Sequence, residues 1–145
     1  MAMRSITYCV EPLQVAWWAA TTEWAKLYHN APKPVLTCTY RPKEEQAALY
    51  AQPWDKKDND GDGQVDEANE KVTNAKSGQS AHNYNPSYAF DFAFLNGKKL
   101  DWNPALFTQF WHLIRKPDNS LTWGGNWKMR DYPHIELTGW KNLVA

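Results

Sequence analysis

The run YAFDFAF, residues 88–94, constrains the fold more than any other part of the sequence. Apolar side chains alternate along it, which is typical of a β-strand that enters a protein interior. The run nevertheless carries one acid, Asp91, and a histidine, His82, stands shortly before it. An inward carboxylate needs a charge partner to offset the loss of its hydration, and a metal ion can supply that charge.

Helical patterns surround this strand. Amphipathic or well-capped helices are predicted over residues 12–30, 42–52 and 103–116. The third begins with Asn103 as a plausible N-cap and Pro104 at its first position. In the first helix, five apolar residues recur at helical spacing: Leu13, Trp17, Ala20, Trp24 and Leu27.

Strand patterns also recur along the chain. Residues 33–40 alternate and contain β-branched side chains, and the central strand is followed by a turn at Asn96 and Gly97. The late pieces LTWGGNWK and YPHIELTGW are strand-like as well. This mixture predicts an α+β fold, with a small antiparallel sheet flanked by helices in a single domain spanning residues 1–145.

Bulk composition disfavours several classes of protein. The chain has 16 basic and 16 acidic residues, so no net charge recruits nucleic acid or an anionic membrane. No apolar run is long enough to span a bilayer, and Glu11, Pro12 and Gln14 interrupt the apolar segment that a signal peptide would need. Two cysteines, Cys9 and Cys38, are too few for a disulfide scaffold, and we expect both to be reduced.

Two histidines and two acids form a possible metal constellation. Taken singly, His82 and His134 are more simply explained as structural histidines. Together with Asp91 they offer three ligands to one zinc ion and leave a fourth position for water, as catalytic zinc sites do. Asp131 lies three residues before His134, where a carboxylate can exchange a proton with that water. From spacing alone, a turn-forming role for Asp131 is the simpler explanation.

Four blocks of the sequence resemble, in order, those of the zinc-dependent peptidoglycan peptidases of the VanY and D-Ala-D-Ala carboxypeptidase group. The branch they resemble most is the L-alanyl-D-glutamate endopeptidases, which includes phage endolysins. The resemblance extends from Thr39 to Leu137. Its blocks are TYRPKEEQAALYAQ, VTNAKSGQSAHNYNPSYAFDF, WGGNWK and DYPHIEL.

The resemblance implies specific roles for residues in these blocks. It implies His82, Asp91 and His134 as zinc ligands and Asp131 as the general base and acid. It also implies that Arg41 points its guanidinium at the substrate, where a fixed cation stabilises a developing oxyanion. Without the resemblance, Arg41 would be interpreted as a surface residue at the start of a helix.

Two further residues are expected to support the site, and one interval departs from the family pattern. Ser80 is expected to orient the segment that carries His82, and Glu136 to lie at most just outside the ligands. The family usually places its aspartate seven positions after the histidine, whereas Asp91 follows His82 by nine. Two extra residues preserve strand parity, so Asp91 still faces the site if the insert, with Pro86 at its turn, bulges outward.

An acidic loop at about residues 55–70 predicts a calcium site. Its aspartates occupy positions one, three and five of an EF-hand-like loop, with glycine at position six. The closing ligand is open between Glu67, Asn69 and Glu70. The predicted calcium ligands are Asp58, Asp60, Asp62, Gln64 and Glu67. A filled loop would stiffen the segment leading to His82, which makes calcium a candidate switch.

The predicted function is hydrolysis of the peptidoglycan stem peptide by a zinc metallopeptidase, at the L-Ala–D-Glu bond. One alternative is a D-Ala-D-Ala carboxypeptidase or dipeptidase with the same zinc set. An alternative of another class is a calcium-dependent wall-binding module without catalysis.

The predicted setting is that of a phage endolysin. We expect a monomer made in the host cytoplasm without a signal peptide, which reaches the wall in the periplasm after a holin permeabilises the membrane. Zinc and calcium are the expected cofactors, the stem peptide is the expected partner, and neither nucleic acid binding nor membrane insertion is expected.

Overall fold

The computed structural model describes residues 2–51, 78–115 and 120–144. In these ranges the helices and strands are α1 (Glu11–Leu27), β1 (Lys33–Cys38), α2 (Lys43–Ala51), β2 (Ala89–Asn96), β3 (Lys99–Asp101), α3 (Pro104–Ile114), β4 (Leu121–Trp123) and β5 (His134–Leu137). Short 3₁₀ turns are Ile6–Tyr8, Ala81–Asn83, Gly124–Asn126 and Trp140–Leu143. The predicted calcium loop lies outside the described residues. No helix in the described ranges is both long and apolar enough to cross a membrane.

The strands form one antiparallel sheet centred on β2. The order is β1-β2-β5-β4, and β3 pairs with the far end of β2. The predicted α+β class, with a small antiparallel sheet and flanking helices, is therefore confirmed.

The alternation in β2 separates two faces of the sheet. Phe90, Phe92 and Phe94 are fully buried on one face, where they pack with α1 and α3. Burying each of these rings contributes roughly 1.5–3 kcal/mol. Their neighbours Asp91 and Ala93 point to the opposite face, because successive strand residues alternate.

The helices largely match their sequence patterns. Asn103 caps α3, since its side chain accepts a hydrogen bond of 3.1 Å from the Ala105 amide. In α1, the predicted end near residue 30 was wrong, because the helix stops at Leu27 and Tyr28 already has non-helical φ and ψ. Leu27 is 51% exposed and does not join the buried face, although the other four predicted positions do.

Strand register places the chemistry of the site in one row across the sheet. Asp91 of β2 lies opposite Cys38 of β1 on one side and opposite His134 of β5 on the other. The three side chains therefore share the sheet face that α1 and α3 leave uncovered. A small buried cluster of Ala81, Ala89 and Trp140 packs beside this row.

Candidate metal centre

One carboxylate oxygen of Asp91 contacts both His82 and His134. Oδ1 of Asp91 lies 3.1 Å from Nε2 of His82 and 3.0 Å from Nδ1 of His134. Both histidines are buried, and the Asp91 side chain keeps 23% of its surface exposed. The structure thus brings together all three predicted zinc ligands from elements that are distant in sequence.

A capped 3₁₀ turn positions His82. The Ser80 hydroxyl accepts a hydrogen bond of 3.2 Å from the His82 amide, and the Asn83 side chain accepts from the amides of Gly78 and Ser80. On the imidazole itself, Nδ1 lies 2.7 Å from the carbonyl oxygen of Thr39. A carbonyl only accepts, so Nδ1 donates and Nε2 is left facing Asp91.

The long interval between His82 and Asp91 is accommodated by a turn with one buried residue. Asn85 and Pro86 are exposed, so the turn does project outward. Ser87 is fully buried, however, and its hydroxyl lies 2.9 Å from the Thr39 carbonyl oxygen that also contacts His82. Asp91 therefore still faces the site, and the Ser87 hydroxyl ties the turn before it to the Thr39 carbonyl oxygen.

Glu136 holds the outer nitrogen of His134. Its Oε1 lies 2.8 Å from Nε2 of His134, and its Oε2 accepts a 3.1 Å hydrogen bond from the indole of Trp140. A carboxylate that accepts from Nε2 leaves Nδ1 of His134 for a metal, the arrangement found around ligating histidines. Sequence patterns had indicated Glu136 and missed Trp140.

The charges of the cluster shift one another's pKa values. Burial alone would lower the pKa of His82, but the adjacent Asp91 outweighs it and raises the pKa to about 10. Burial acts likewise on His134, whose hydrogen bonds to Asp91 and Glu136 raise its pKa to about 9. Burial opposes ionisation of Asp91, yet the two histidines hold the pKa of that carboxyl far below its ordinary value. Both imidazoles are therefore protonated on both nitrogens, and positively charged, in the metal-free protein. A bound cation would displace the protons shared with Asp91.

Asp131 lines an open cleft together with His82, Asp91 and His134. Partial burial, followed by the nearby charge of Asp91, raises the pKa of the Asp131 carboxyl, which favours a group that accepts and returns protons. Its backbone is tied to Gly124 by a 2.9 Å hydrogen bond and to the His134 amide by one of 3.2 Å. A Cβ at Gly124 would lie 2.9 Å from that of Asp131, so only glycine leaves room for this approach.

Arg41 is held by buried neighbours. Its guanidinium donates to Oε1 of Gln46 at 3.0 Å and to the sulfur of Cys38 at 3.6 Å, while its amide donates to the His82 carbonyl at 2.7 Å. Gln46 is fully buried, and Asn83 donates to it at 3.4 Å and to the Arg41 carbonyl at 3.1 Å. The arginine is therefore oriented relative to the segment that carries His82.

The open cleft has a volume of about 860 Å³ and is lined by the His–Asp–His cluster together with Arg41 and Asp131. The cleft also contains Arg130 and Lys141, which sequence patterns did not single out, and Trp127, which lies in the WGGNWK block. The Trp127 ring lies 5.2 Å from the His134 ring and is 37% exposed. The WGGNWK block was the sequence signal for this wall of the cleft.

Cys38 is an alternative metal ligand next to His82 and Asp91. Single ligand atoms of Cys38, His82 and Asp91 all lie within 4.8 Å of one another. Its sulfur, however, lies 3.7 Å from Nδ1 of His82, the nitrogen that already contacts Thr39. By contrast, Nδ1 of His134 meets the same Asp91 oxygen as Nε2 of His82 does. Only the strand register, unknown from sequence, could have pointed to Cys38.

Fold and site together define a class: an α+β domain with a His–Asp–His cluster in an open cleft. Comparison with known proteins identifies similar chains. No family model matches the chain. The peptidoglycan L-alanyl-D-glutamate endopeptidase CwlK of Bacillus subtilis is 31% identical over 112 residues, 71% of this chain. The chain spans 59% of the length of that curated relative.

A solved structure shares the fold. The crystal structure of the Serratia marcescens L-Ala D-Glu endopeptidase ChiX matches with a TM-score of 0.63 and 18% identity, covering 100% of this chain and 93% of that one. The match to CwlK confirms the predicted resemblance of the chain to the VanY-like peptidoglycan peptidase family, and the match to ChiX shows that the fold is shared.

Proposed function

We propose that this chain is a zinc-dependent endopeptidase that cleaves the peptidoglycan stem peptide at the L-Ala–D-Glu bond. The observation that carries the proposal is the contact of His82 and His134 with the same oxygen of Asp91, with Asp131 and Arg41 lining the same cleft. The two similar proteins named above, both L-Ala–D-Glu endopeptidases, support the substrate class.

The donor atoms, two imidazole nitrogens and a carboxylate oxygen, are of the types that bind zinc in proteins. Adjacent ligands of tetrahedral zinc lie roughly 3.3–3.6 Å apart, given metal–ligand bonds of about 2.0–2.2 Å. Asp91 Oδ1 is 3.1 and 3.0 Å from the two imidazole nitrogens that face it. Each histidine uses its other nitrogen to contact an oxygen acceptor, Thr39 O or Glu136 Oε1, which fixes both tautomers for binding.

The chain's own groups supply the remaining chemistry. When bound, zinc supplies a Lewis acid for the scissile carbonyl and lowers the pKa of a water. Asp131 accepts a proton from the attacking water and returns it to the departing amine, a role favoured by its raised pKa. Arg41, fixed by Gln46, stabilises negative charge on the carbonyl oxygen, an effect of about 3 kcal/mol for such contacts.

Three cations in the cleft suit an anionic peptide. Arg41, Arg130 and Lys141 all line it, and within the described ranges none of them forms an ion pair with an acid. The D-glutamate at the proposed scissile bond carries a free carboxylate. Opposite charge favours both the encounter and the correct register of such a substrate.

Digestion of purified sacculi, followed by mass spectrometry, tests the proposal. We expect fragments with a new amine on D-glutamate, lost with Asp131→Asn and after zinc chelation. Release of free D-alanine instead would support the carboxypeptidase alternative. Binding to sacculi without any cleavage product, by protein that holds stoichiometric zinc, would support the wall-binding alternative and refute the endopeptidase.

Calcium control and the endolysin role belong to the same proposal and rest on sequence. The five predicted calcium ligands lie outside the described residues, in the segment that precedes Ser80. We propose that calcium orders this segment and thereby the turn that carries His82. Activity measured in EGTA and again with added calcium tests this, and unchanged turnover without calcium would refute the switch. Lysis of intact host cells only when a holin is co-expressed would support the endolysin role.

A further inference from the structure

We propose that Trp140 is a positioning residue that fixes the His134 ligand through Glu136 and thereby sets the zinc affinity of the cleft. The inference rests on the proposed zinc site and extends it to a residue outside the recognised sequence blocks. It starts from the two oxygens of Glu136, which serve different partners: Oε1 contacts His134 Nε2 at 2.8 Å and Oε2 accepts from Trp140 Nε1 at 3.1 Å.

Backbone geometry makes this contact possible. His134 and Glu136 are two residues apart on β5, so their side chains lie on the same face of the sheet. Gly139 then adopts a left-handed conformation, with φ of 75°, and begins the 3₁₀ turn that contains Trp140. This turn folds the chain back, so that the indole N–H reaches the carboxylate.

Packing makes Trp140 a rigid donor. It is 4% exposed, and its ring stacks on Tyr88 at 6.2 Å and contacts Tyr84 at 5.9 Å. It shares a buried cluster with Ala81 and Ala89. Ala81 precedes His82, and Ala89 is two residues before Asp91, so the indole packs against the segments that carry the other two ligands. Trp140 therefore links all three ligand-bearing segments.

The fixed position of the Glu136 carboxylate affects how well His134 can bind a metal ion. A glutamate without a second hydrogen bond samples several rotamers, and ordering it on metal binding costs entropy. The Trp140 indole removes that freedom in advance and holds Glu136 where it fixes the His134 tautomer. Loss of such an outer partner typically weakens metal binding 10–100-fold.

Trp140→Phe is the direct test, because it keeps an aromatic ring and removes only the N–H donor and part of the indole. Zinc affinity is measured by competition with a chromophoric chelator on metal-free protein. We expect affinity to fall about tenfold. Trp24→Phe is the matched control, since Trp24 is also buried and its indole donates at 3.1 Å to the Pro32 carbonyl, away from the cleft. It should lose stability and keep wild-type zinc affinity.

A double-mutant cycle separates the relay, meaning the coupling of Trp140 to His134 through Glu136, from a general effect of Trp140 on packing. If Trp140 acts through Glu136, Trp140→Phe should change zinc affinity little in a Glu136→Ala background. An equal loss in both backgrounds, or wild-type affinity in Trp140→Phe, overturns the relay. Should Trp140→Phe fail to fold, the near-isosteric Glu136→Gln tests the same contact, and undiminished zinc affinity there also overturns it. Wild-type protein that binds no zinc refutes the proposed function itself, and the relay with it.

Discussion

Gly124→Ala tests whether the position of Asp131 governs catalysis. The added Cβ would lie 2.9 Å from Cβ of Asp131 and closer still to its carbonyl oxygen, so the Asp131 backbone must move by about 1 Å to bring that oxygen to ordinary contact. Misplacement of a catalytic group by about 1 Å can cost 100-fold, so we expect kcat to fall at least about tenfold at saturating zinc. Overpacking also costs about 1–3 kcal/mol of stability.

Gly97→Ala is the matched control. Gly97 has a φ of 64° and open space around it, so alanine there costs about 1–2 kcal/mol through backbone strain alone. Its turn between β2 and β3 lies away from the cleft. Hydrolysis of purified muropeptides and thermal unfolding are measured for both variants. The reasoning is refuted if both lose similar stability and Gly124→Ala keeps wild-type kcat.

Four further predictions concern the same cleft. Asp131→Asn should lower kcat by roughly 10²–10⁴ while zinc content stays at wild-type level, and zinc loss would instead assign Asp131 to metal binding. Arg41→Ala should lower kcat about 100-fold, with exposed Arg4→Ala as an unaffected control, and a change confined to KM would contradict the oxyanion role. Zinc at about 100 times its Kd should raise Tm by roughly 5–10 °C over chelated protein, and an unchanged Tm would exclude a folded-state site. In chelator, the raised pKa values of His82 and His134 give stability that is present below pH 6.5 and lost towards pH 9–10, so Tm should fall over that range. A rising Tm there would show that the histidines are neutral.

Local patterns predicted most of the secondary structure. The buried face of α1 and the cap at Asn103 depend on residues a few positions apart, so spacing was sufficient. The end of α1 was predicted near Asn30 because prolines follow that residue, whereas the helix already ends at Leu27, which is 51% exposed.

The site was less accessible to sequence reasoning. Its candidate residues came mainly from the family resemblance, because the approach of Asp91 to His134 depends on a strand pairing across 43 residues. Cys38 faces the same row for the same reason, and no local pattern marks it. Trp140 was not identified because a tryptophan near the end of a chain is normally explained by core packing.

The late position of β5 has a consequence for biosynthesis. His134 joins a row whose other members, Cys38 and Asp91, precede it by many residues. During translation a nascent chain therefore lacks the complete cluster until β5 has left the ribosome and paired with β2. A truncated translation product that ends before β5 carries Asp91 and His82 but lacks His134, so it would not have the proposed zinc site.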